Sequence, residues 1–381
     1  MSLDAIVQRE FPRLQGEACA FLNSASTGPL PEGTRQLALE QVEMRMEPWR
    51  YGADSQFAVL RTSRDLVARL IGATPEEIAL MVNTTHGLNL AALALPFEPG
   101  DVIVGTDRDF PSNVYPWMAL ARHRGLEFRQ VPCAGRLFDE DALVAALDAP
   151  RVRALVVSWV SFESGMRLDL QRLGAECKRR GIYFVVDAIQ GVGPAVLDVR
   201  AAHIDILSCG AQKWLLSPWG TAFTYIRRDL VTQLEPRQVG WMAVKGADDF
   251  TRLLDYKLDW WDDARRFEVV TLPFQDFALM NYALALFHEA GPAVIAERVA
   301  RHCDRLVAWA QSRDDMRLVT PADRARRAGI VSIMPPDARA TSDRLTAAKV
   351  AHSLREGAIR LSPHFFTPDA HVERAIEILG A

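Results

Sequence analysis

The sequence predicts an α/β fold: a large domain built on a mostly parallel sheet, with a smaller α+β domain after it. Three observations carry this. Apolar strand-like runs alternate with helical patterns through the first two thirds of the chain. The runs "VRALVVSWVSF" and "IYFVVDA" are almost continuously apolar, as strands covered on both faces are. After "DWWDDARRFE" the texture changes to long helical patterns and then short strands.

Taken in order, "SRDLVARLIG" has apolar residues at helical spacing and stops at Gly72, a glycine C-cap. "EIALMV" is a short strand. "TTHGLNLAALAL" is a helix that Thr84 or Thr85 is placed to cap. "PGDVIVG" turns into a strand. "DLQRLGAECKRRG" is the crossover helix between the two apolar strands, and "IDILSCGA" and "TAFTYI" are strands on either side of a lysine, Lys213. The large domain is expected over residues 20–260. The helices "FQDFALMNYALALFHEAG" and "AVIAERVARHCDRLVAWAQS", the strands "GIVSIMP" and "GAIRLSP", and the helix "PDAHVERAIEIL" make the smaller domain, residues 261–381, joined by residues 1–19.

Composition narrows the function. The chain has 381 residues, is 49% hydrophobic and 24% charged, and carries a formal charge of -4. Its basic residues are dispersed, so neither nucleic acid nor a membrane surface is expected as a partner. Five scattered cysteines without a CxxC pair fit a reducing cytoplasm. The opening "MSLDAIVQREFPRL" is charged where a signal peptide is apolar, and no run reaches membrane-spanning length. Eight histidines show no HExxH spacing, and no metal site is expected.

Lys213 sits in "ILSCGAQKWLLSPWGTAFTYI" with no acid nearby in sequence. Lysine rarely occupies apolar surroundings without a partner. In open α/β sheets, ligands bind beyond the carboxyl ends of the strands. Lys213, Asp187, Thr84, Thr85 and Phe110 all fall at such ends. Singly, each has an ordinary structural use: Asp187 and the threonines as caps, Phe110 as core, Lys213 reaching to solvent. Together they match one ligand. A crowded lysine condenses with a carbonyl, and a helix N-terminus takes a phosphate. A carboxylate pairs with a pyridinium nitrogen, and an aromatic ring stacks on a pyridine face. That set answers to pyridoxal 5'-phosphate. Trp214, Trp219 and Trp241 read as packing residues, with Trp241 also a candidate for the substrate mouth.

On six segments the sequence resembles the class V aminotransferase family of fold-type I pyridoxal-phosphate enzymes, which includes the cysteine desulfurases. They are "FLNSASTGPLP", "NTTHGLN", "VVDAIQGVG", "GAQKWLLSPWG", "RRFEVVT" and "AIRLSPHFFTP", in the family's order. The resemblance implies a mostly parallel sheet of the seven-stranded type. It implies that Lys213 forms the internal aldimine and moves the proton at the substrate Cα. Asp187 would pair with the pyridine nitrogen, Gln190 with the ring O3', and Phe110 would stack on the ring. Thr84, Thr85 and Gln212 would meet the phosphate. Thr271 would reach the phosphate of a partner subunit, which implies a homodimer, and Arg360 would fork onto a substrate carboxylate.

Three departures shape the functional expectation. No cysteine lies between Cys303 and Arg360, where desulfurases carry their persulfide-forming thiol. Gln212 replaces a histidine of many relatives, and Phe162 replaces an asparagine. The expected function is a pyridoxal-phosphate-dependent aminotransferase acting on an amino acid or amine. A C–S lyase working by β-elimination and an epimerase are the alternatives, and a noncatalytic cofactor-binding scaffold or sensor is the alternative of another class. "GVGP" lacks the third glycine and the placement of a dinucleotide fingerprint, and no GxSxG elbow is present.

Overall fold

The computed structural model describes residues 2–16, 18–50 and 52–381. Seven strands form the main sheet: β1 (Ile78–Met81), β2 (Val102–Thr106), β3 (Glu127–Val131), β4 (Val152–Ser158), β5 (Tyr183–Asp187), β6 (Ile206–Gly210) and β7 (Ala222–Ile226). Their order is β1-β7-β6-β5-β4-β2-β3. The β6–β5, β5–β4, β4–β2 and β2–β3 pairs are parallel, and β7 is antiparallel to both of its neighbours. The apolar runs are therefore central strands. β3 is one of the two edge strands and the one left open to solvent, and this is why "EFRQV" carries no apolar signature: all its residues but Val131 are exposed or half-buried.

Helices cover both faces. On one side lie α1 (Ala53–Ile71) and α4 (Leu170–Arg180), whose Leu60, Val67, Leu173 and Cys177 join Leu80, Leu155, Phe184 and Leu207 in one core. On the other lie α2 (Thr84–Ala94) and α3 (Tyr115–Arg124), whose Leu88, Ala91, Trp117 and Leu120 pack on Ala79, Ile103, Val156 and Val185. Alternate residues of each strand thus serve opposite cores. Helix α1 ends on Gly72 in the left-handed region (φ 74), as its sequence predicts. Helix α2 is capped differently from the expectation. Asn83, not Thr84 or Thr85, is the N-cap, and its side chain accepts from the His86 N–H at 2.9 Å. The threonines are the first two helical residues.

Two long helices, α5 (Phe274–Ala290) and α6 (Pro292–Gln311), lead to a four-stranded antiparallel sheet. Its strands are β8 (Arg317–Leu318), β9 (Val331–Met334), β10 (Ser353–Arg355) and β11 (Ala358–Leu361), in the order β10-β11-β9-β8. The terminal helix α7 (Asp369–Gly380) packs on α6. The N-terminal segment reaches this part of the chain. Ala20–Phe21 pairs with Val350–Ala351, and Phe11 stacks on Phe366 with ring centroids 4.6 Å apart.

Candidate active site

The carboxyl ends of β1, β2, β5 and β6 converge on Lys213. The lysine lies in the loop joining β6 to β7, closed at its base by the Ala211 N–H donating to the Thr221 carbonyl at 2.9 Å. The N-terminal segment presses on this loop. Gly28 N–H donates to the Gln212 carbonyl at 2.9 Å, and a Cβ on Gly28 would stand 2.1 Å from the Lys213 carbonyl oxygen. Only glycine allows that approach. Burial pulls the Lys213 ammonium pKa below its ordinary value; the nearby Asp187 charge opposes this and the Arg360 charge adds to it. Its Nζ lies 5.6 Å from the centre of the Phe110 ring.

Asp187 ends β5 and is 2% exposed. Desolvation drives its carboxyl pKa up, with Asp109 adding to the rise and Lys213 opposing it. One carboxylate oxygen accepts from the Ile189 N–H at 3.0 Å. Among the described residues the other oxygen meets no donor. The acid that the sequence around Lys213 lacks is thus supplied by a neighbouring strand.

Gln190 is held at both ends of its amide. Its Nε2 donates to the Ala25 carbonyl at 3.0 Å, and its Oε1 accepts from Trp214 Nε1 at 2.8 Å. The Trp214 carbonyl in turn accepts from His364 Nε2 at 3.0 Å, since His364 Nδ1 is occupied as the acceptor for the Phe365 N–H. His364 therefore ties the "SPHFF" turn to the lysine loop.

At the opening of α2, the Thr84 hydroxyl accepts from the Gly210 N–H at 2.9 Å, and the Thr85 hydroxyl donates to Ser112 at 2.9 Å. The first N–H groups of the helix have no intrahelical partner. Gln212 is buried beside them, its Oε1 2.5 Å from where a Cβ on Gly210 would stand. The Phe110 loop is held by Asp109, which accepts from the Phe110 N–H at 2.7 Å, Ser158 N–H at 2.9 Å and Asn113 Nδ2 at 3.0 Å. Phe110 meets Phe162 edge-to-face at 5.3 Å.

Arg360 comes from β11 and is 2% exposed. Its Nη1 donates to the Phe162 carbonyl and its Nη2 to Ser26 Oγ, both at 2.9 Å, while its Nε has no partner. No carboxylate lies within ion-pair distance among the described residues. Burial lowers its pKa to about 10. A buried guanidinium without a counter-ion costs several kcal/mol, ~3–5 when a partner is missing, so the arrangement favours an incoming anion.

Two expectations fall elsewhere on the molecule. Thr271 lies on the surface, its hydroxyl accepting from Trp241 Nε1 at 2.8 Å. Trp219, read as a packing residue, is 67% exposed at the tip of the lysine loop, and Trp241 is half-exposed; of the three, Trp214 alone is core. Sequence reasoning missed Ser26, Asp109 and His364. Ser26 and His364 lie in quoted motifs and Asp109 in none; Ser26 and Asp109 act through neighbours far away in the chain, and a lone histidine after a proline carries no signal of its own.

The donor set fits pyridoxal 5'-phosphate. A desolvated amine, a buried carboxylate with a free oxygen, a helix N-terminus with open N–H groups and an aromatic face lie about the lysine loop. Among the described residues, no group of three or more His, Cys, Asp or Glu side chains is placed to hold a metal ion.

Comparison with known proteins agrees. Over 377 residues the chain is 28% identical to isopenicillin N epimerase of Streptomyces clavuligerus, covering 94% of each. It is 28% identical to the uncharacterized aminotransferase YcbU of Bacillus subtilis over 375 residues, covering 97% of this chain and 96% of that one. A probable cysteine desulfurase of Methanothermobacter thermautotrophicus is 29% identical over 315 residues, 81% of this chain and 76% of its own. In fold, the chain superposes on a cystine C–S lyase in complex with cysteine persulfide with a TM-score of 0.87 at 23% identity, covering 97% of this chain and 99% of that one. The apo cysteine desulfurase of Thermococcus onnurineus gives 0.87 at 22% identity, covering 100% and 98%. Residues 35–362 match the Aminotransferase class-V family. With that match spanning most of the chain and the fold type I sheet beneath it, the protein belongs to the class V aminotransferase family of pyridoxal 5'-phosphate-dependent enzymes.

Proposed function

We propose that the chain is an aminotransferase for an α-amino acid, and that Lys213, Asp187 and Arg360 carry its chemistry. The observation that bears the reading is Arg360, a buried guanidinium with no acidic partner among the described residues, whose charge is felt at Lys213.

When bound, pyridoxal 5'-phosphate supplies an aldehyde that condenses with amines and a ring that withdraws electrons from the bonds at Cα. The chain does the rest. Lys213, its pKa lowered, offers a free amine near neutrality, first as nucleophile and then as the base that carries the Cα proton. Asp187, through its free oxygen, would hold a proton at the pyridine nitrogen. Thr84, Thr85 and Gln212 would hold the phosphate, Phe110 would cover the ring, and Gln190 would meet its O3'. Arg360 orients the substrate carboxylate, with Ser26 fixing its fork.

A persulfide route has no cysteine on the stretch between Cys303 and Arg360 to serve it, and Cys209, near Lys213, is fully buried with its thiol pKa pushed up by burial. A β-elimination C–S lyase needs no such thiol, and epimerisation differs only in the face to which the proton returns. These two are the competing outcomes of the test. A noncatalytic sensor or scaffold predicts no turnover of any kind. We also propose a cytoplasmic homodimer in which Thr271 serves the partner's phosphate. The exposed Trp241 beside it and the exposed Leu254, Tyr256 and Leu258 support a covered surface there. Residues 20–260 would form the cofactor domain, with 1–19 and 261–381 the smaller one.

The test is a half-reaction. Cofactor-loaded protein is mixed with single amino acids and no keto acid. One equivalent of keto acid per site is the expected result. Multiple turnovers yielding sulfide with keto acid, or yielding inverted amino acid, replace transamination with elimination or epimerisation. No reaction with any α-amino acid or amine leaves the scaffold reading.

A further inference from the structure

The hairpin that carries Arg360 carries a second arginine. β10 and β11 pair with Ser353 opposite Arg360 and Arg355 opposite Ala358, so all four residues share one face of the sheet. The two residues between the strands, Glu356 (φ 47) and Gly357 (φ 76), form a tight turn with both in the left-handed region. The tip is anchored: Arg136 Nη2 donates to the Glu356 carbonyl, and Arg136 Nη1 pairs with Glu163 at 2.9 Å. Glu163 also takes both prongs of Arg108, at 2.9 and 2.8 Å. One buried carboxylate is thus shared by two arginines.

Arg355 has no such partner. Its one hydrogen bond among the described residues runs from Nη1 to the carbonyl of its neighbour Leu354, at 3.0 Å. No carboxylate of the described residues is within ion-pair distance of it, and it is exposed. It lies on the face of the hairpin that carries Arg360, and its charge bears on both Arg360 and Lys213. Phe110 and Phe162 meet edge-to-face beside Lys213, and the Phe162 carbonyl takes one prong of Arg360, so an apolar pair stands next to both groups.

We propose that Arg355 is a specificity-determining residue that reads a carboxylate at the far end of the substrate side chain, so that the substrate class is an acidic α-amino acid. This rests on the reading of Arg360 as the clamp for the α-carboxylate. Arg360 would hold one end and Arg355 the other, with the aliphatic stretch against Phe110 and Phe162.

The test is calorimetric titration of cofactor-loaded protein at low ionic strength. The probes are straight-chain dicarboxylates from succinate to pimelate, and monocarboxylates of matched length. At least one dicarboxylate should bind about tenfold tighter than its monocarboxylate, the gain of one charge-assisted contact. Arg355→Gln should erase that preference, weakening dicarboxylate binding more than monocarboxylate binding. Arg360→Gln should weaken both series. A wild-type protein that binds monocarboxylates through Arg360 without favouring any dicarboxylate overturns the role of Arg355 alone. A preference that survives in Arg355→Gln does the same. Monocarboxylate binding indifferent to Arg360→Gln overturns the clamp and the inference with it.

Discussion

At the scale of the residue, the site is defined by charges left incomplete. Lys213 is a partly buried amine desolvated by its surroundings, Arg360 a buried cation, and Asp187 a buried carboxyl with one oxygen unmet. Lys213→Ala is expected to abolish borohydride-dependent trapping of cofactor on the chain; mass spectrometry of the reduced protein reads this directly, and a retained adduct removes Lys213 from its role. Asp187→Ala should slow Cα proton exchange, followed in deuterated water, far more than it weakens cofactor retention. Arg360→Ala should raise KM for a carboxylate substrate by about tenfold or more, because a charged hydrogen bond contributes ~1.5–3 kcal/mol. An unchanged KM assigns recognition to another group. Lys213, Asp187 and Arg360 were legible in the sequence because their motifs are local. The partners that orient them were not. Nothing in "NSAST" says that Ser26 will meet an arginine 334 positions away, or in "DRDF" that Asp109 will bear on Asp187.

At the scale of the element, what stands out is how closely α2 is seated on the sheet. A Cβ at Gly87 would stand 2.0 Å from Thr224 Oγ1 and 2.3 Å from Ser208 Oγ, cross-strand neighbours on β6 and β7. Ser208 Oγ also donates to the Thr84 carbonyl at 2.9 Å. Small polar residues on the strands and a glycine on the helix bring its N-terminus down beside the lysine loop. Gly87→Val is expected to destabilise the fold by ~1–3 kcal/mol through overpacking and to lift the helix opening from its place. Urea denaturation reads the first effect and weaker cofactor retention the second; a variant with wild-type retention separates helix seating from phosphate binding. The strands with continuous apolar runs were legible because burial on both faces leaves no choice of residue. β3 was not, because an edge strand paired only through β2 needs no such run. The cap of α2 was misplaced by one residue, since Asn83, Thr84 and Thr85 are all good capping residues and the backbone alone selects among them.

At the scale of the molecule, two buried neutral histidines in the C-terminal region tie stability to pH. Burial lowers the pKa of His364 to about 3 and that of His302 to about 4, against an ordinary 6.5. Below pH 6.5 the unfolded chain takes up protons that these folded sites refuse. Stability from each is complete above 6.5 and falls by up to ~1.4 kcal/mol per pH unit on acidification towards the folded value. Asp109 and Asp187, whose folded pKa values are raised, act in the opposite sense on the acid side. His302 reads the effect best: among the described residues neither ring nitrogen has a hydrogen bond to lose, and Asp369, 3.5 Å from Nδ1, opposes burial without overcoming it. His302→Leu should flatten the fall of the urea midpoint between pH 6.5 and 4; an unchanged slope refutes the burial argument. The reversal of β7 has a wider consequence. Because β7 returns directly beside β6, the lysine loop is stitched to the sheet at both ends, whereas Arg360 arrives on a separate four-stranded sheet. The proposed nucleophile is part of the chassis and the proposed carboxylate clamp part of an appended jaw. Whatever gap opens to admit a substrate must therefore open on the jaw's side, and amide exchange should be slowest at the base of the lysine loop and faster along the arginine hairpin.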